Sequence, residues 1–160
     1  MIKIEFKTDK IILVLSISLM LFLAGCAKSG TGTTANFKDV KVTIFHDPSC
    51  GCCAIYTDYM KKKGFDVEMK MVSDLAPIKE QYGIPEKLLS CHTSVIGNYF
   101  VEGHVPVEAI DKLLLEKPNI KGISLPGMPS ASPGMPGKKN GPFVIYSVGQ
   151  EGSVQEFMRI

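Results

Sequence analysis

The sequence predicts an α/β fold in which helices flank a central mixed sheet. Apolar, β-branched segments alternate with helical patterns in the first part of the chain, which is typical of parallel strands joined by crossover helices. Two pairs of short strand-like segments with tight turns follow, and these add antiparallel pairing. With 160 residues, of which 45% are hydrophobic, the chain can form one domain with a hydrophobic core in addition to a leader segment.

The first 25 residues are predicted to be a lipoprotein-type signal peptide that is cleaved before Cys26. Three lysines precede an apolar run over 11–23, and Leu23-Ala24-Gly25-Cys26 is similar to the lipobox of bacterial lipoproteins. As a helix the apolar run would span only ~20 Å, which is short of the roughly 30 Å hydrocarbon core of a bilayer. The alternative is an ordinary cleaved signal in which the cysteine is present by chance.

Lipidation of Cys26 would anchor the exported protein to a membrane surface in the cell envelope or periplasm, because each buried methylene of an acyl chain contributes ~0.8 kcal/mol. Residues 26–38, rich in Gly, Ser and Thr, are predicted to be a flexible tether, and 39–160 the folded domain. The net charge of +2 falls to +1 without residues 1–25, since these carry three lysines and two acidic residues. No nucleic-acid-binding surface is indicated.

The predicted elements follow the order strand, helix, strand, helix, two strands, helix and two strands. On the first helix Cys53, Tyr56 and Met60 are predicted to share one face, and on the second strand Val67, Met69 and Met71 do. The three methionines, Met60, Met69 and Met71, are predicted to be core residues. This order, with cysteines at the start of the first helix, is typical of a thioredoxin-like fold to which a C-terminal β-hairpin is added. The elements are predicted to span 40–46, 51–63, 65–72, 74–81, 93–96, 99–102, 106–117, 143–148 and 154–158.

Four cysteines remain after Cys26, and three of them lie within four residues: Cys50, Cys52 and Cys53. The fourth, Cys91, precedes the third predicted strand, where a thioredoxin-like fold places a loop that faces the first helix. Adjacent Cα atoms are ~3.8 Å apart, below the usual ~4.4 Å minimum for a disulfide, which argues against a bridge between Cys52 and Cys53. A bridge between Cys50 and Cys53 is feasible, because residues three apart on a helix lie about 5 to 6 Å from each other.

Thiols at the start of a helix can exchange disulfides or bind metal as thiolates. An oxidoreductase would use Cys50 as the attacking thiolate and Cys53 as the resolving thiol, but Cys52 would then compete as a wrong partner. Adjacent cysteines are well placed to bridge several ions in a cluster, and four thiolates including Cys91 select Cu(I) before Zn(II). The favoured hypothesis is therefore a Cu(I)-binding protein. Thiol-disulfide or Cu(I)/Cu(II) oxidoreduction and purely structural disulfides are the alternatives, so whether the protein is an enzyme stays open.

The three histidines are further candidates. His92 follows Cys91 directly and is predicted to be either a metal ligand or a group that supports one. His104 precedes a helix, where capping or packing is the alternative to a metal role. For His46, at the end of the first strand, a local hydrogen bond is the favoured interpretation.

A Pro/Gly-rich segment contains two methionines in repeated surroundings. Pro126-Gly127-Met128-Pro129 recurs as Pro133-Gly134-Met135-Pro136. Thioether sulfur is a soft ligand, so Met128 and Met135 are predicted either to bind Cu(I) or to fill gaps in a proline-rich covering segment.

Four ordered motifs give the chain a resemblance to the CopG-like copper-resistance proteins, exported bacterial proteins long described as a domain of unknown function. The resemblance covers about 40–158. The motifs are Pro48-Ser49-Cys50-Gly51-Cys52-Cys53, Ser90-Cys91-His92-Thr93, Glu102-Gly103-His104-Val105-Pro106 and the paired Pro-Gly-Met segments.

This resemblance implies a thioredoxin-like fold and a polynuclear Cu(I) cluster bridged by Cys50, Cys52, Cys53 and Cys91. It also implies a role in copper tolerance, with copper ions and copper-transport or redox proteins as partners and interconversion of Cu(I) and Cu(II) as an activity. Cys26 departs from the plain export signal that the resemblance implies.

Overall fold

The computed structural model describes residues 37–160, which form an α/β fold of seven strands and three helices. The predicted fold class is confirmed at this level. The strands are β1 Lys41–His46, β2 Asp66–Met71, β3 His92–Ile96, β4 Tyr99–Glu102, β5 Ile120–Ser124, β6 Val144–Gly149 and β7 Val154–Arg159. The helices are α1 Gly51–Lys62, α2 Ala76–Gln81 and α3 Val107–Glu116, and a 3-10 turn at Glu86–Leu88 precedes β3.

The predicted signal peptide, the lipidation of Cys26 and most of the predicted tether lie outside the described residues. Phe37, at the end of that tether, is buried and stacks on Phe65 with 4.2 Å between ring centroids. Within 37–160, no helix is long and apolar enough to cross a membrane.

The seven strands form one mixed sheet in the order β2-β1-β3-β4-β5-β6-β7. β1 pairs with β2 in parallel and β4 with β5 in parallel, while the other neighbours are antiparallel. His46, the last residue of β1, is paired with His92, the first residue of β3. Since α1 begins five residues after His46, the helix start and the start of β3 lie at the same end of the sheet.

The main core lies between one face of the sheet and the helices α1 and α3. Val101 of β4 belongs to it, whereas its neighbour Phe100 belongs to a smaller cluster around the 3-10 turn, because successive strand side chains point to opposite faces. Cys53, Tyr56 and Met60, predicted to share one face of the first helix, are all fully buried. That face of α1 therefore joins the core to the cysteine motif.

β5 is a strand that the sequence did not predict. Lys121 and Gly122 interrupt its apolar pattern, and such a short segment between prolines carries little periodicity. Gly122 is required by packing, because a Cβ there would lie 2.5 Å from a ring carbon of Phe100 on the neighbouring strand. The glycine that hid the strand from the sequence pattern is what allows β5 to pair with β4.

The prediction that Met69 and Met71 are core residues is wrong. Their side chains are 36% and 72% exposed, while Met60 is fully buried as predicted. β2 lies at the edge of the sheet, and in this row of side chains only Val67 packs against the core. The alternation of the sequence predicted the strand correctly. Alternation alone does not show that this strand lies at the edge of the sheet, where Met69 and Met71 are exposed.

Candidate metal centre

A tight turn between β1 and α1 positions the first cysteine. The carboxylate of Asp47 accepts a hydrogen bond from the backbone N–H of Ser49 (2.8 Å), and the carbonyl of Asp47 accepts one from the N–H of Cys50 (3.0 Å). The hydrogen bonds from Ser49 lower the pKa of Asp47, so the carboxylate stays ionised and keeps this turn closed.

The four sulfur atoms converge on one point, as the sequence predicted. Cys50 and Cys53 are joined by a disulfide, while Cys52 and Cys91 are free thiols. The Sγ of Cys52 lies 3.4 Å from the Sγ of Cys50, and the Sγ of Cys91 lies 3.9 Å from the Sγ of Cys53. All four sulfurs lie within 4.8 Å of one another. Their role as metal ligands stays a prediction.

Cys91 also belongs to a second group of donors, which it forms with two histidines. Its Sγ lies 3.0 Å from Nε2 of His104 and 3.2 Å from Nδ1 of His92, and the three ligand atoms are within 4.8 Å of one another. Nδ1 of His92 is also 3.6 Å from the Sγ of Cys53. Cys91 is therefore shared between the group of four cysteine sulfurs and a group that adds two imidazoles.

A hydrogen bond to the backbone fixes the orientation of the His104 ring. Its Nδ1 donates a hydrogen bond of 2.6 Å to the carbonyl of Pro133, so the lone pair is on Nε2, the atom that faces the sulfur of Cys91. Gly103 allows this approach with a φ of 77°, and a Cβ at that position would lie 2.6 Å from the Cβ of Ser90. Neither nitrogen of His104 caps α3, because one contacts the carbonyl of Pro133 and the other the sulfur of Cys91.

Burial keeps the ligand groups of this second cluster neutral. It raises the pKa of the Cys91 thiol to about 12, and the charge and hydrogen bond of Cys52 act in the same direction. It also lowers the pKa of His92 and that of His104, and for His92 the neighbouring His104 contributes as well. A neutral imidazole binds metal without first losing a proton, whereas Cys91 would release its proton when a metal binds.

Tyr56 packs against both imidazoles from α1. Its ring centroid lies 4.7 Å from that of His92 and 5.4 Å from that of His104, and its hydroxyl donates to the carbonyl of Val105 (3.0 Å). The sequence pattern places Tyr56 on the same helix face as Cys53 and Met60, but no sequence pattern indicates that this face meets the two histidines.

The repeated Pro-Gly-Met segments attach to the two sides of the site. The first is held on the Cys91 side, where the hydroxyl of Ser90 donates to the carbonyl of Gly127. The second lies against α1, where a Cβ on Gly134 would be 2.9 Å from the backbone nitrogen of Tyr56 and 3.2 Å from the carbonyl oxygen of Cys52. This contact supports the covering role.

The methionines of the two segments differ in position. The side chain of Met128 is 52% exposed, while Met135 is partly buried next to Gly134. Their role as Cu(I) ligands stays a prediction.

A buried ion pair supports the Cys91 segment from the opposite face of the sheet. Lys79 of α2 forms a salt bridge with the fully buried Glu102, and its ammonium also donates to the carbonyl of Ser90 (3.1 Å). Glu102 accepts from the N–H of Ser90 and the hydroxyl of Thr93, each at 2.6 Å. Both sides of the Cys91–His92 dipeptide are therefore tied to one carboxylate.

Little in the sequence indicates this network. Glu102 belongs to one of the four motifs, and Lys79 lies in a short predicted helix where no pattern distinguishes it. A carboxylate at the end of an apolar strand was the available sign, since buried charges require a partner.

Taken together, the fold and the site define a class of protein: an α/β domain with a Cys/His metal-binding site at one end of its sheet. Thiolates and imidazoles are the donors that suit soft and intermediate ions such as Cu(I) and Zn(II). Neither donor group found within 37–160 includes a carboxylate, the ligand that Mg²⁺ and Ca²⁺ require.

Comparison with known proteins identifies the family. A profile described as "Protein of unknown function, DUF411" matches residues 88–135, which include Cys91, His92 and His104. Two solved structures of copper resistance protein CopG, form 2 and form 1, are each 32% identical in sequence, with TM-scores of 0.72 and 0.71. Each comparison covers 76% of this chain and 98% of the CopG chain. A search of curated proteins finds no match.

The chain therefore belongs to the CopG-like copper-resistance family. The resemblance noted from the sequence motifs is confirmed.

The ion pair generates a stability prediction. Lys79→Met should lower the free energy of unfolding by about 3 to 5 kcal/mol, because it leaves the Glu102 carboxylate buried without its counter-charge. Chemical denaturation of the full chain measures this. Lys70→Met is the matched control: Lys70 pairs with Glu68 in solvent, so its loss should change stability by less than about 0.5 kcal/mol. Equal effects of the two substitutions would contradict the proposed support.

The raised pKa of Cys91 generates a pH prediction. In the metal-free protein with the Cys50–Cys53 disulfide intact, alkylation of Cys91 at pH 8 should be slow compared with the unfolded chain, and it should keep rising above pH 9 towards the folded pKa of about 12. Mass spectrometry after timed alkylation follows Cys91 and Cys52 separately. A Cys91 rate that levels off near pH 9 would show that burial does not hold the thiol neutral.

Proposed function

We propose that this protein holds Cu(I) as cargo at the Cys/His site and thereby contributes to copper tolerance or homeostasis. The observation that carries the proposal is the shared position of Cys91, whose sulfur lies 3.9 Å from a cysteine of α1 and 3.0 Å from Nε2 of His104. One sulfur in reach of both donor groups can bridge ions bound by each, so the arrangement favours a polynuclear, cysteine-bridged cluster over a single ion. The solved relatives are named for copper resistance, which agrees with the soft donor set.

The capacity for copper depends on the redox state of the α1 cysteines. Two electrons and two protons convert the Cys50–Cys53 disulfide into two thiols, which raises the number of free thiols at the site from two to four. The fully reduced protein is the form that offers all four sulfurs. Copper binding is therefore expected to be strongest under reducing conditions.

An oxidoreductase is the second candidate, and the Cys50–Cys53 disulfide itself favours it. The reduced pair could transfer one electron to each of two Cu(II) ions, which yields two Cu(I) ions, the disulfide and two protons. Cu(I) would then form next to the free thiols of Cys52 and Cys91. Reduction of Cu(II) by the reduced protein, measured with a Cu(I)-specific chromophore, tests this; retention of full activity by Cys50→Ser would exclude the mechanism.

The arrangement of the elements supports a thioredoxin-like assignment. The order β2-β1-β3-β4, with β1 parallel to β2 and antiparallel to β3, follows from two βα units and a strand pair, and the cysteines open the helix after β1. β6 and β7 are proposed to be the added C-terminal hairpin. Their connection is closed by the N–H of Gly149, which donates to the carbonyl of Ser153 (2.8 Å).

Copper uptake generates a graded prediction. Anaerobic, fully reduced protein should take up more than one equivalent of Cu(I) in competition with a moderate chelator. Cys91→Ser should reduce the number of bound Cu(I) equivalents more than Cys52→Ser does, because Cys91 belongs to both donor groups and Cys52 only to the group of four cysteines. We expect the affinity of the Cys91→Ser protein to fall by at least about tenfold. Uptake of no copper by the parent protein, or an unchanged Cys91→Ser protein, would refute the proposal.

The proposed location is the cell envelope, with a lipid anchor on Cys26. The basis is the lipobox-like sequence, since two or more acyl chains hold a protein stably at a membrane. The native chain should fractionate with membranes, and Cys26→Ser should move it to the soluble envelope fraction or leave the leader uncleaved. An unchanged distribution, with the leader removed at the same point, would argue for an ordinary signal peptide.

A further inference from the structure

His46 is a buried imidazole that the proposed centre does not use. Its side chain lies at the end of β1 and is only 6% exposed. Nδ1 lies 2.9 Å from the carbonyl oxygen of Asp47, to which it donates, so the lone pair is on Nε2. Nε2 is buried and has no hydrogen-bond partner among residues 37–160. The local hydrogen bond expected from the sequence is present, but it satisfies only one of the two nitrogens, and a buried unsatisfied acceptor is costly.

The sheet places a thioether residue next to this histidine on the neighbouring strand. Met71 is paired with His46 in the parallel ladder between β2 and β1. Paired residues of neighbouring strands lie on the same face, and the strands are only ~4.8 Å apart. Met71 is 72% exposed, so an ion from solvent can reach its side chain.

The same row continues to the proposed centre. His46 is also paired with His92 on its other side, and Nδ1 of His92 lies 3.2 Å from the sulfur of Cys91. Across the end of the sheet, the order is therefore Met71, whose thioether side chain is exposed, then His46, and then His92. The buried Nε2 of His46 has no hydrogen-bond partner among residues 37–160, and Nδ1 of His92 contacts cysteine sulfurs. Sulfur and imidazole donors suit Cu(I).

We propose that Met71 and His46 form a second, outer Cu(I) site, through which the ion reaches the Cys/His centre from solvent. This inference rests on the proposed function, since it assumes that the centre takes Cu(I). Two donors hold an ion less tightly than the four thiols, which is what a transfer site requires. The outer site gives a role to an exposed methionine at a sheet edge and to a buried histidine nitrogen that has no hydrogen-bond partner among residues 37–160.

The first test is the rate of copper transfer. The reduced full chain is mixed anaerobically with a Cu(I)–chelator complex whose absorbance reports the loss of the ion. Met71→Leu should slow uptake by about tenfold, equivalent to ~1.4 kcal/mol in the barrier, with the final number of bound ions unchanged. Met69→Leu is the matched control, because Met69 lies on the same face of β2 but is paired with the apolar Ile44. Equal rates for Met71→Leu and the parent, or equal slowing by both substitutions, would overturn the proposal.

The second test detects the outer site directly, even if the thiols bind nothing. With ¹³C-labelled methionine methyl groups, Cu(I) added to the reduced protein should shift the Met71 resonance and leave that of Met69 in place. The Met71 response should disappear in His46→Phe, whose dispersed spectrum shows that it is folded. An unresponsive Met71 refutes the outer site. Failure of the thiols to retain copper while Met71 responds refutes the proposed function and leaves the outer site standing.

Discussion

The position of Cys91 is the constraint on which the site depends. The strand that follows it directly, β3, is held between β1 and β4, and its neighbours are tied on the other face of the sheet by Glu102 and Lys79. The same backbone segment thus has a buried ion pair on one side and a cluster of soft donors on the other. Because a buried carboxylate without its partner is costly, this arrangement makes the direction of the Cys91 side chain a consequence of the fold.

Burial gives the site two properties that act together. It disfavours charge on Cys91 and on the two imidazoles, so these three groups favour their neutral forms when no metal is bound. A soft cation that binds there would replace the proton of the thiol, so copper binding and proton release are linked. Pro133 contributes by holding His104 in one tautomer. The second Pro-Gly-Met segment therefore orients a donor of the site through Pro133 and also packs against α1 through Gly134.

The redox state of the α1 cysteines adds a further control. A disulfide between Cys50 and Cys53 and a cluster that uses both sulfurs exclude each other, since a bridged sulfur is not a thiolate ligand. In the proposed function, copper binding would use the reduced form of these four residues, and electron transfer would convert that form to the disulfide. Cys52 takes no part in that disulfide, which is a reason for a third cysteine in a motif where exchange chemistry needs only two.

Much of this could be predicted from the sequence, because the cysteine motif and the helix behind it are local features. Convergence of Cys91 with the other three cysteines was expected from its position just before the third predicted strand. The remaining features arise from tertiary packing. β5 was hidden by Gly122, the exposure of Met69 and Met71 depends on which strand lies at the edge, and the Lys79–Glu102 pair joins residues from separate elements. Contacts between residues of separate elements leave no trace in the hydrophobic periodicity of the sequence.

X-ray absorption spectroscopy of the reduced, Cu(I)-loaded chain tests the central claim most directly, because it identifies the atoms bound to copper. The account predicts a first shell dominated by sulfur, with a clear loss of sulfur scattering in Cys91→Ser. A first shell of nitrogen and oxygen in the parent protein, or a sulfur shell that Cys91→Ser leaves unchanged, would contradict it.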